Sequence, residues 1–279
     1  MGLTRYTRGT LLRELALVLV AAVYCLPLYL LVALALEPTE QTYRAPLSFP
    51  WPPQWGNFAE AWNTGGQAGL RQGLESSLII TVSSVVAVIV LGSLCAYTIA
   101  RRAGRLSKLV YVLFVIGIIL PFQLAIIPLY VAMRHIGLVG NYLGMIVLNV
   151  GLLMPLTVFL YTGFIRALPR DYEEAARVDG AGILRTYARV VFPLLRPITA
   201  TVAVLVGIIV WNEFFIALIF LSGSRSQTVP VALYSFFGDY NTQWNLIFAG
   251  IAITIAPILG FYLFAQRRLI RGFSAGVKG

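Results

Sequence analysis

Six apolar runs dominate the chain, at about 15–36, 77–100, 109–133, 143–165, 198–221 and 246–265. Crossing roughly 30 Å of hydrocarbon takes about 20 helical residues, and the runs are of that order. In lipid a backbone must satisfy its own hydrogen bonds, so each run is expected to be a helix. The strict alternation of a membrane-barrel strand is absent. A mean hydropathy of +0.83 with 11% charged residues excludes an ordinary soluble domain. The predicted fold class is all-α, a polytopic membrane protein with six transmembrane helices. A secretory signal is the alternative for the first run, since Arg5, Arg8 and Arg13 precede it and Ala33-Leu34-Ala35 resembles a cleavage site. A signal's apolar core is only about 7–15 residues long. The run is longer, so a retained helix is expected.

The net charge of +10 would suit a nucleic-acid binder, but its distribution points elsewhere. With the N-terminus inside, all 21 Lys and Arg residues except Arg44, Arg71, Arg134 and Arg225 fall on inside segments. That bias follows the positive-inside rule and predicts cytoplasmic N- and C-termini. The basicity sets topology, and no nucleic-acid partner is predicted. Cys25 and Cys95 lie within apolar runs, where they are read as small packing hydrophobes without metal spacing. The lone His135 makes no metal site.

The predicted organisation is a cytoplasmic tail at 1–14, a first transmembrane helix at 15–36 and an external loop at 37–76. A five-helix core at 77–265 follows, containing a cytoplasmic loop at 166–197, and a cytoplasmic tail at 266–279 ends the chain. The external loop carries Trp51, Trp55 and Trp62 among Pro50, Pro52 and Pro53, and tryptophans there read as interfacial anchors against the lipid. Pro27, Pro121, Pro128, Pro155 and Pro257 interrupt the apolar runs. Each removes a backbone donor and tends to kink its helix.

The inside loop holds an unexpected concentration of acid. Asp171, Glu173, Glu174 and Asp179, out of eleven acidic residues in the chain, lie within "PRDYEEAARVDGAG" at 169–182. Asp171 is read as an N-cap and Glu174 as its capping-box partner. A short helix through Val178 is predicted, ended by Gly180 in a left-handed turn. A second helix is expected to begin at Ala181, with Ile183, Leu184, Tyr187, Val190 and Val191 on one face and Arg185 and Arg189 on another. Pro193 and Pro197 are read as closing it. Ala175 and Ala176 keep one side of the first helix low, allowing another surface to approach. An interfacial hairpin resting on lipid would favour basic residues, because an anionic leaflet repels acids. A protein partner fits better.

"EEAARVDGAG" followed by "YARVVFPLLRP" resembles the EAA motif of ABC-importer permeases. Tyr187 stands where phenylalanine is usual, and Phe192 precedes Pro193 where leucine is usual. The resemblance extends through "ILPFQLAIIPLY", "GLVGNYLGMIVL", "WNEFFIALIFL" and "AQRRLIRGFSAGVKG". It is to the binding-protein-dependent transport inner-membrane components, specifically carbohydrate permeases of the maltose-transporter G-subunit type. What the resemblance implies is a permease subunit in a bacterial or archaeal cytoplasmic membrane. Its implied partners are a second, different permease, two nucleotide-binding ATPase subunits and an extracytoplasmic sugar-binding protein. The loop would then be the coupling helix, with Glu173, Glu174, Ala175, Ala176, Asp179, Gly180, Ala181 and Tyr187 at the ATPase contact. The implied tail contact between the ATPase subunits falls on Gly272, Ser274, Gly276 and Lys278, in an ending one residue shorter than usual.

No cofactor is predicted in this chain, and ATP and Mg²⁺ are assigned to the partner subunits. The residues agree, since Lys108 and Lys278 are the only lysines and neither sits in a phosphate-binding loop. Two rival functions are weaker. An ion-coupled carrier would have to rely on Glu213, the one acid inside an apolar run. An intramembrane protease would need a second catalytic group at membrane depth. Trp211, Asn212 and Glu213 are candidate translocation-path residues, because sugar hydroxyls need polar partners and sugar rings stack on aromatic faces. A sugar is the expected substrate, with glycerol phosphate or a polyol as the alternative.

Overall fold

The computed structural model describes residues 8–44, 49–64, 69–237, 242–257 and 259–260. Among them every regular element is helical. In chain order these are α1 (Arg8–Leu36), α2 (Thr39–Arg44), α3 (Gly56–Asn63), α4 (Leu70–Arg101) and α5 (Arg105–Ile119). A 3₁₀ turn (Phe122–Ala125), α6 (Ile126–His135), α7 (Tyr142–Ala167), α8 (Asp171–Val178) and α9 (Ile183–Thr186) follow. A π-helical segment (Tyr187–Val191) leads into α10 (Phe192–Leu194), α11 (Arg196–Trp211), α12 (Phe215–Leu221) and α13 (Val229–Tyr234). The last is α14 (Trp244–Pro257).

α1, α4 and α7 are each long and apolar enough to cross a membrane unbroken. Two further apolar stretches are bent pairs. The run at 109–133, where Pro121 and Pro128 predict a kink, is broken outright, α5 and the 3₁₀–α6 segment meeting at 91°. Pro121 is the cause: it cannot continue the ladder and it forces Leu120 into extended backbone, with φ −67° and ψ 125°. Pro27 and Pro155, by contrast, sit within continuous helices. α11 bends 75° from the segment that precedes it, between Pro193 and Pro197. The sixth run is described through α14 only as far as residue 260.

Two compact units emerge. The larger spans residues 72–231 and is centred on α7, which packs on α5, α11 and α12. Val88, Ala96, Val158, Tyr161, Ile165, Leu195 and Val202 fill its core. Gly92 lets α4 and α7 approach closely, since a Cβ there would overlap Cγ2 of Thr157. Polar contacts add specificity within the apolar packing: Nδ2 of Asn149 donates to Oγ of Ser84 at 3.4 Å, and the Tyr161 hydroxyl donates to Oγ1 of Thr199 at 2.9 Å. At the head of α7 the Asn141 side chain accepts from the Gly144 amide at 2.9 Å, a conventional N-cap.

The other unit comprises residues 1–71 and 232–260. Residues 11–29 of α1 are exposed, Cys25 among them, whereas Ala33, Leu34, Ala35 and Leu36 at its end are buried. Its C-terminal end is tied down by Asn57, whose Nδ2 donates to the carbonyls of Ala35 and Glu37, each at 2.9 Å. Asn245 in turn donates to Oδ1 of Asn57 at 3.2 Å. Trp51 and Trp55 are exposed, as interfacial anchors would be.

Candidate functional site

The acidic loop folds as a helical hairpin made of α8, a glycine turn and the α9–π–α10 arm. Three acids, Asp171, Glu173 and Glu174, stand in the first turn of α8, where the helix dipole favours negative charge. The predicted capping box is not what starts the helix. Arg170 already has helical backbone and carries no side-chain cap, so Asp171 lies inside the helix. The Arg170 carbonyl accepts from the amides of both Glu173 and Glu174, at 2.9 and 3.0 Å. The helix therefore begins earlier than an Asp171 cap would require, and Glu174 is left exposed.

The turn itself is as predicted. Gly180 has φ +77°, the left-handed conformation that glycine adopts without a steric cost. Around it, the Ala181 amide donates to the Ala176 carbonyl at 2.9 Å and the Gly180 amide to the Arg177 carbonyl at 3.0 Å. These are the two bonds of a Schellman ending. Asp179 occupies the C-cap position and is exposed.

The second arm departs from prediction. Tyr187 and Val191 are buried, but Ile183 and Leu184 are 71% and 76% exposed, so the five apolar residues do not share one buried face. Ile183 and Leu184 stand in the first turn after the glycine, whereas Tyr187, one turn further on, is held by Ser93 of α4. Val178, at the end of α8, is 88% exposed. Val178, Ile183 and Leu184 thus form an apolar tip beside the glycine turn, flanked by the exposed alanine Ala175.

The other side of the hairpin is held by α4. Glu173 is buried, and its Oε1 pairs with Nε of Arg101 at 2.6 Å. Its Oε2 accepts from the Tyr97 hydroxyl at 3.0 Å. Nη2 of Arg101 also donates to the Leu168 carbonyl at 3.2 Å, fixing the approach to α8. On the second arm, the Tyr187 hydroxyl hydrogen-bonds Oγ of Ser93 at 2.6 Å, and the Tyr187 ring lies 5.2 Å from that of Tyr97. Arg101, Arg170, Glu173, Glu174 and Arg177 line a small polar cleft of about 50 Å³ alongside.

Ser93, Tyr97 and Arg101 were not among the residues the sequence singled out. Arg101 entered only as a topological charge. The signal was available: a polar stripe at steps of four residues lies on one face of an apolar helix.

The candidate path residues fall at a helix break rather than at the centre of one helix. α11 ends at Trp211, Asn212 is its C-cap, and α12 starts at Phe215. The Glu213 carboxylate accepts from the amides of Ile216 and Ala217, each at 2.8 Å, and so satisfies the open N-terminus of α12. Asn212 is exposed, with Nδ2 donating to the Ile208 carbonyl at 2.8 Å, and Trp211 is half-buried. Gly272, Ser274, Gly276 and Lys278, the predicted tail contacts, lie outside the described residues.

Comparison with known proteins places these features. The family described as "Binding-protein-dependent transport system inner membrane component" matches residues 88–274, which span the hairpin and the helix break. The melibiose/raffinose/stachyose import permease protein MelC of Bacillus subtilis (strain 168) is 36% identical over 275 residues, covering 98% of each chain. The probable starch degradation products transport system permease protein AmyC of Thermoanaerobacterium thermosulfurigenes is 31% identical over 250 residues, covering 90% of each. The multiple sugar-binding transport system permease protein MsmG of Streptococcus mutans serotype c (strain ATCC 700610 / UA159) is 37% identical over 205 residues, 72% of this chain and 74% of that one. Among solved structures, a chain of a bacterial ABC transporter involved in the import of the acidic polysaccharide alginate superposes with a TM-score of 0.78. It covers 95% of this chain and 99% of that one at 19% identity, a likeness of fold.

Proposed function

The chain belongs to the family of binding-protein-dependent transport system inner membrane components, and from that premise we propose that it is one of two permeases in an ATP-driven sugar importer. It forms half of the translocation pathway in the cytoplasmic membrane of a bacterium or archaeon, with both termini cytoplasmic. A second, different permease supplies the other half. An extracytoplasmic binding protein delivers the sugar, and two ATPase subunits below bind ATP and Mg²⁺. Support for the substrate class comes from the relatives, whose names cite melibiose, raffinose, stachyose and starch degradation products.

The observation that carries the coupling role is the two-sided hairpin. One side is fastened to α4 through Glu173 and Tyr187, while the apolar tip of Val178, Ile183 and Leu184 is left exposed. An apolar tip rimmed by charge on the cytoplasmic side suits insertion into a protein cleft. Glu174, Ala175, Ala176, Asp179 and Ala181 then line the ATPase contact, and Gly180 holds its shape. Glu173 and Tyr187, assigned to that contact from sequence, face inward instead and position the hairpin. The tail residues Gly272, Ser274, Gly276 and Lys278 reach between the ATPase subunits.

Trp211 and Asn212 remain the path candidates. Glu213 shapes the path by stabilising the break, since both of its oxygens already accept backbone hydrogen bonds. The same bonds weigh against an ion-coupled carrier, which needs a carboxylate free to exchange protons.

Reconstitution tests the function. ATP hydrolysis by the four-subunit complex in proteoliposomes should rise when a sugar-loaded binding protein is added, with the sugar accumulating on the cytoplasmic side. Uptake driven by a proton or sodium gradient without ATP contradicts the proposal. Import of glycerol phosphate or a polyol instead of a sugar corrects the substrate class and leaves the ATP-driven reading intact.

A further inference from the structure

Three polar residues of α4, each four positions from the next, hold the hairpin by polar contacts. Ser93 meets Tyr187, Tyr97 meets Glu173, and Arg101 meets both Glu173 and the Leu168 carbonyl. The stripe therefore grips both arms of the hairpin and the linker leading into it. The Arg101 and Glu173 side chains are only 12% and 5% exposed. A buried charge pair of this kind is costly to form and worse to break, because removing one partner strands the other.

From this we propose that Ser93, Tyr97, Arg101 and Glu173 form a latch that makes the hairpin and the adjacent end of α4 one rigid body. A displacement of the hairpin by the ATPase then passes directly into α4. This inference rests on the coupling role of the hairpin and names the residues that transmit it. The sequence route from hairpin to α7 runs through Leu168, Pro169 and Arg170, a connection between helices (α7 ends at Ala167 and α8 begins at Asp171). The latch adds a second connection, through side chains to α4, and it fastens the first arm at both carboxylate oxygens of Glu173. These are positioning residues, since none of them is exposed toward the apolar tip.

The test uses the full importer complex with Cys25 and Cys95 replaced by serine. Spin labels at Thr98→Cys on α4 and Asp171→Cys on α8, both exposed positions, report the distance across the latch. In the parent complex that distance should stay narrow and unchanged between nucleotide-free and ATP-bound states. Arg101→Met and Glu173→Gln should each broaden it, and sugar imported per ATP hydrolysed should fall by at least about fivefold, the lower end of ordinary allosteric couplings. The double variant should be no worse than either single one, as expected for two halves of one interaction. Should the charge variants fail to assemble, Tyr97→Phe and Ser93→Ala keep the packing and remove single hydrogen bonds, and they should lower the same ratio more mildly.

A parent distance that changes between the two states overturns the latch. So do variants with an unbroadened distance and a normal import ratio. A constant parent distance, together with failure of the hairpin to cross-link to the ATPase, would refute the coupling role while leaving the rigid unit established.

Discussion

The hydroxyl of Tyr187 and the hydroxyl of Ser93 lie 2.6 Å apart although 94 positions separate them in the chain. That contact ties the returning arm of the hairpin to the last third of α4. It also explains why tyrosine is useful at 187, where phenylalanine is usual in the permeases that the sequence resembles. A phenylalanine would keep the ring packing against Tyr97 and Phe192 but could not bond Ser93. Tyr187→Phe is expected to retain a folded, assembled complex and to lose about 0.5–1.5 kcal/mol, the net worth of a typical hydrogen bond. Thermal unfolding of the purified complex against the parent measures the loss.

Gly180 carries the hairpin turn at φ +77°. Gly180→Val places a β-branched side chain in the left-handed region, at a local cost of about 1–3 kcal/mol. Open space surrounds the position, so strain rather than a clash is the cause. The variant should remain in the membrane at normal abundance while sugar uptake is lost. Immunoblotting of membranes alongside transport assays checks both halves; normal uptake contradicts the role of the turn.

Gly92 is different, because space rather than conformation is what it provides. Gly92→Val would drive a side chain against the buried Thr157. Overpacking of this kind costs about 1–3 kcal/mol. The expected outcome is reduced thermal stability and lower abundance in the membrane, with Thr157→Ala partly restoring both. A fully stable Gly92→Val would show that α4 and α7 are further apart than described.

Glu213→Gln retains one side-chain acceptor for the amides that begin α12, whereas Glu213→Ala removes both. The loss on going to alanine should be in the range of about 0.5–2 kcal/mol, as for other helix caps. Glu213→Gln should therefore transport with an unchanged pH profile, and Glu213→Ala should be the less stable protein. Loss of transport together with its pH dependence in Glu213→Gln would instead mark a proton-carrying acid.

Asn212→Ala addresses the pathway. It removes an exposed amide at the helix break and leaves the cap at Glu213 in place. A shift in the relative uptake of competing sugars is expected. If the substrate range is untouched, Asn212 does not face the moving sugar.

Much of the fold follows from patterns that act locally. Long apolar runs dictate helices because lipid offers the backbone no other partner, and α1, α4 and α7 are continuous helices across theirs. Gly180 was legible because so few residues tolerate its turn. The elbow after Leu120 was half legible, since Pro121 predicts a break but not whether tertiary packing will absorb it, as it does for Pro155. The break after Trp211 was hidden: no proline or glycine marks it, and a carboxylate reaching forward to cap the next helix sustains it. The Arg101–Glu173 pair was hidden for another reason. Pairing across 72 positions is a property of the folded chain, and Arg101 had already been accounted for by topology. The apolar residues of the second arm misled because helical spacing assigns residues to a face without saying how far along the arm that face is covered, and the cover reaches Tyr187 but not Ile183 or Leu184.

The claim that joins all of this is that the apolar tip of the hairpin inserts into an ATPase subunit. Its most direct measurement is site-directed cross-linking in the assembled importer, with Cys25 and Cys95 replaced by serine and Val178→Cys placed at the tip, which is 88% exposed in the isolated chain. A short bifunctional reagent should join this chain to the ATPase subunit, and prior addition of that subunit should shield Val178→Cys from a water-soluble maleimide. An intact complex in which Val178→Cys stays fully open to the maleimide and never cross-links to the ATPase would contradict the account.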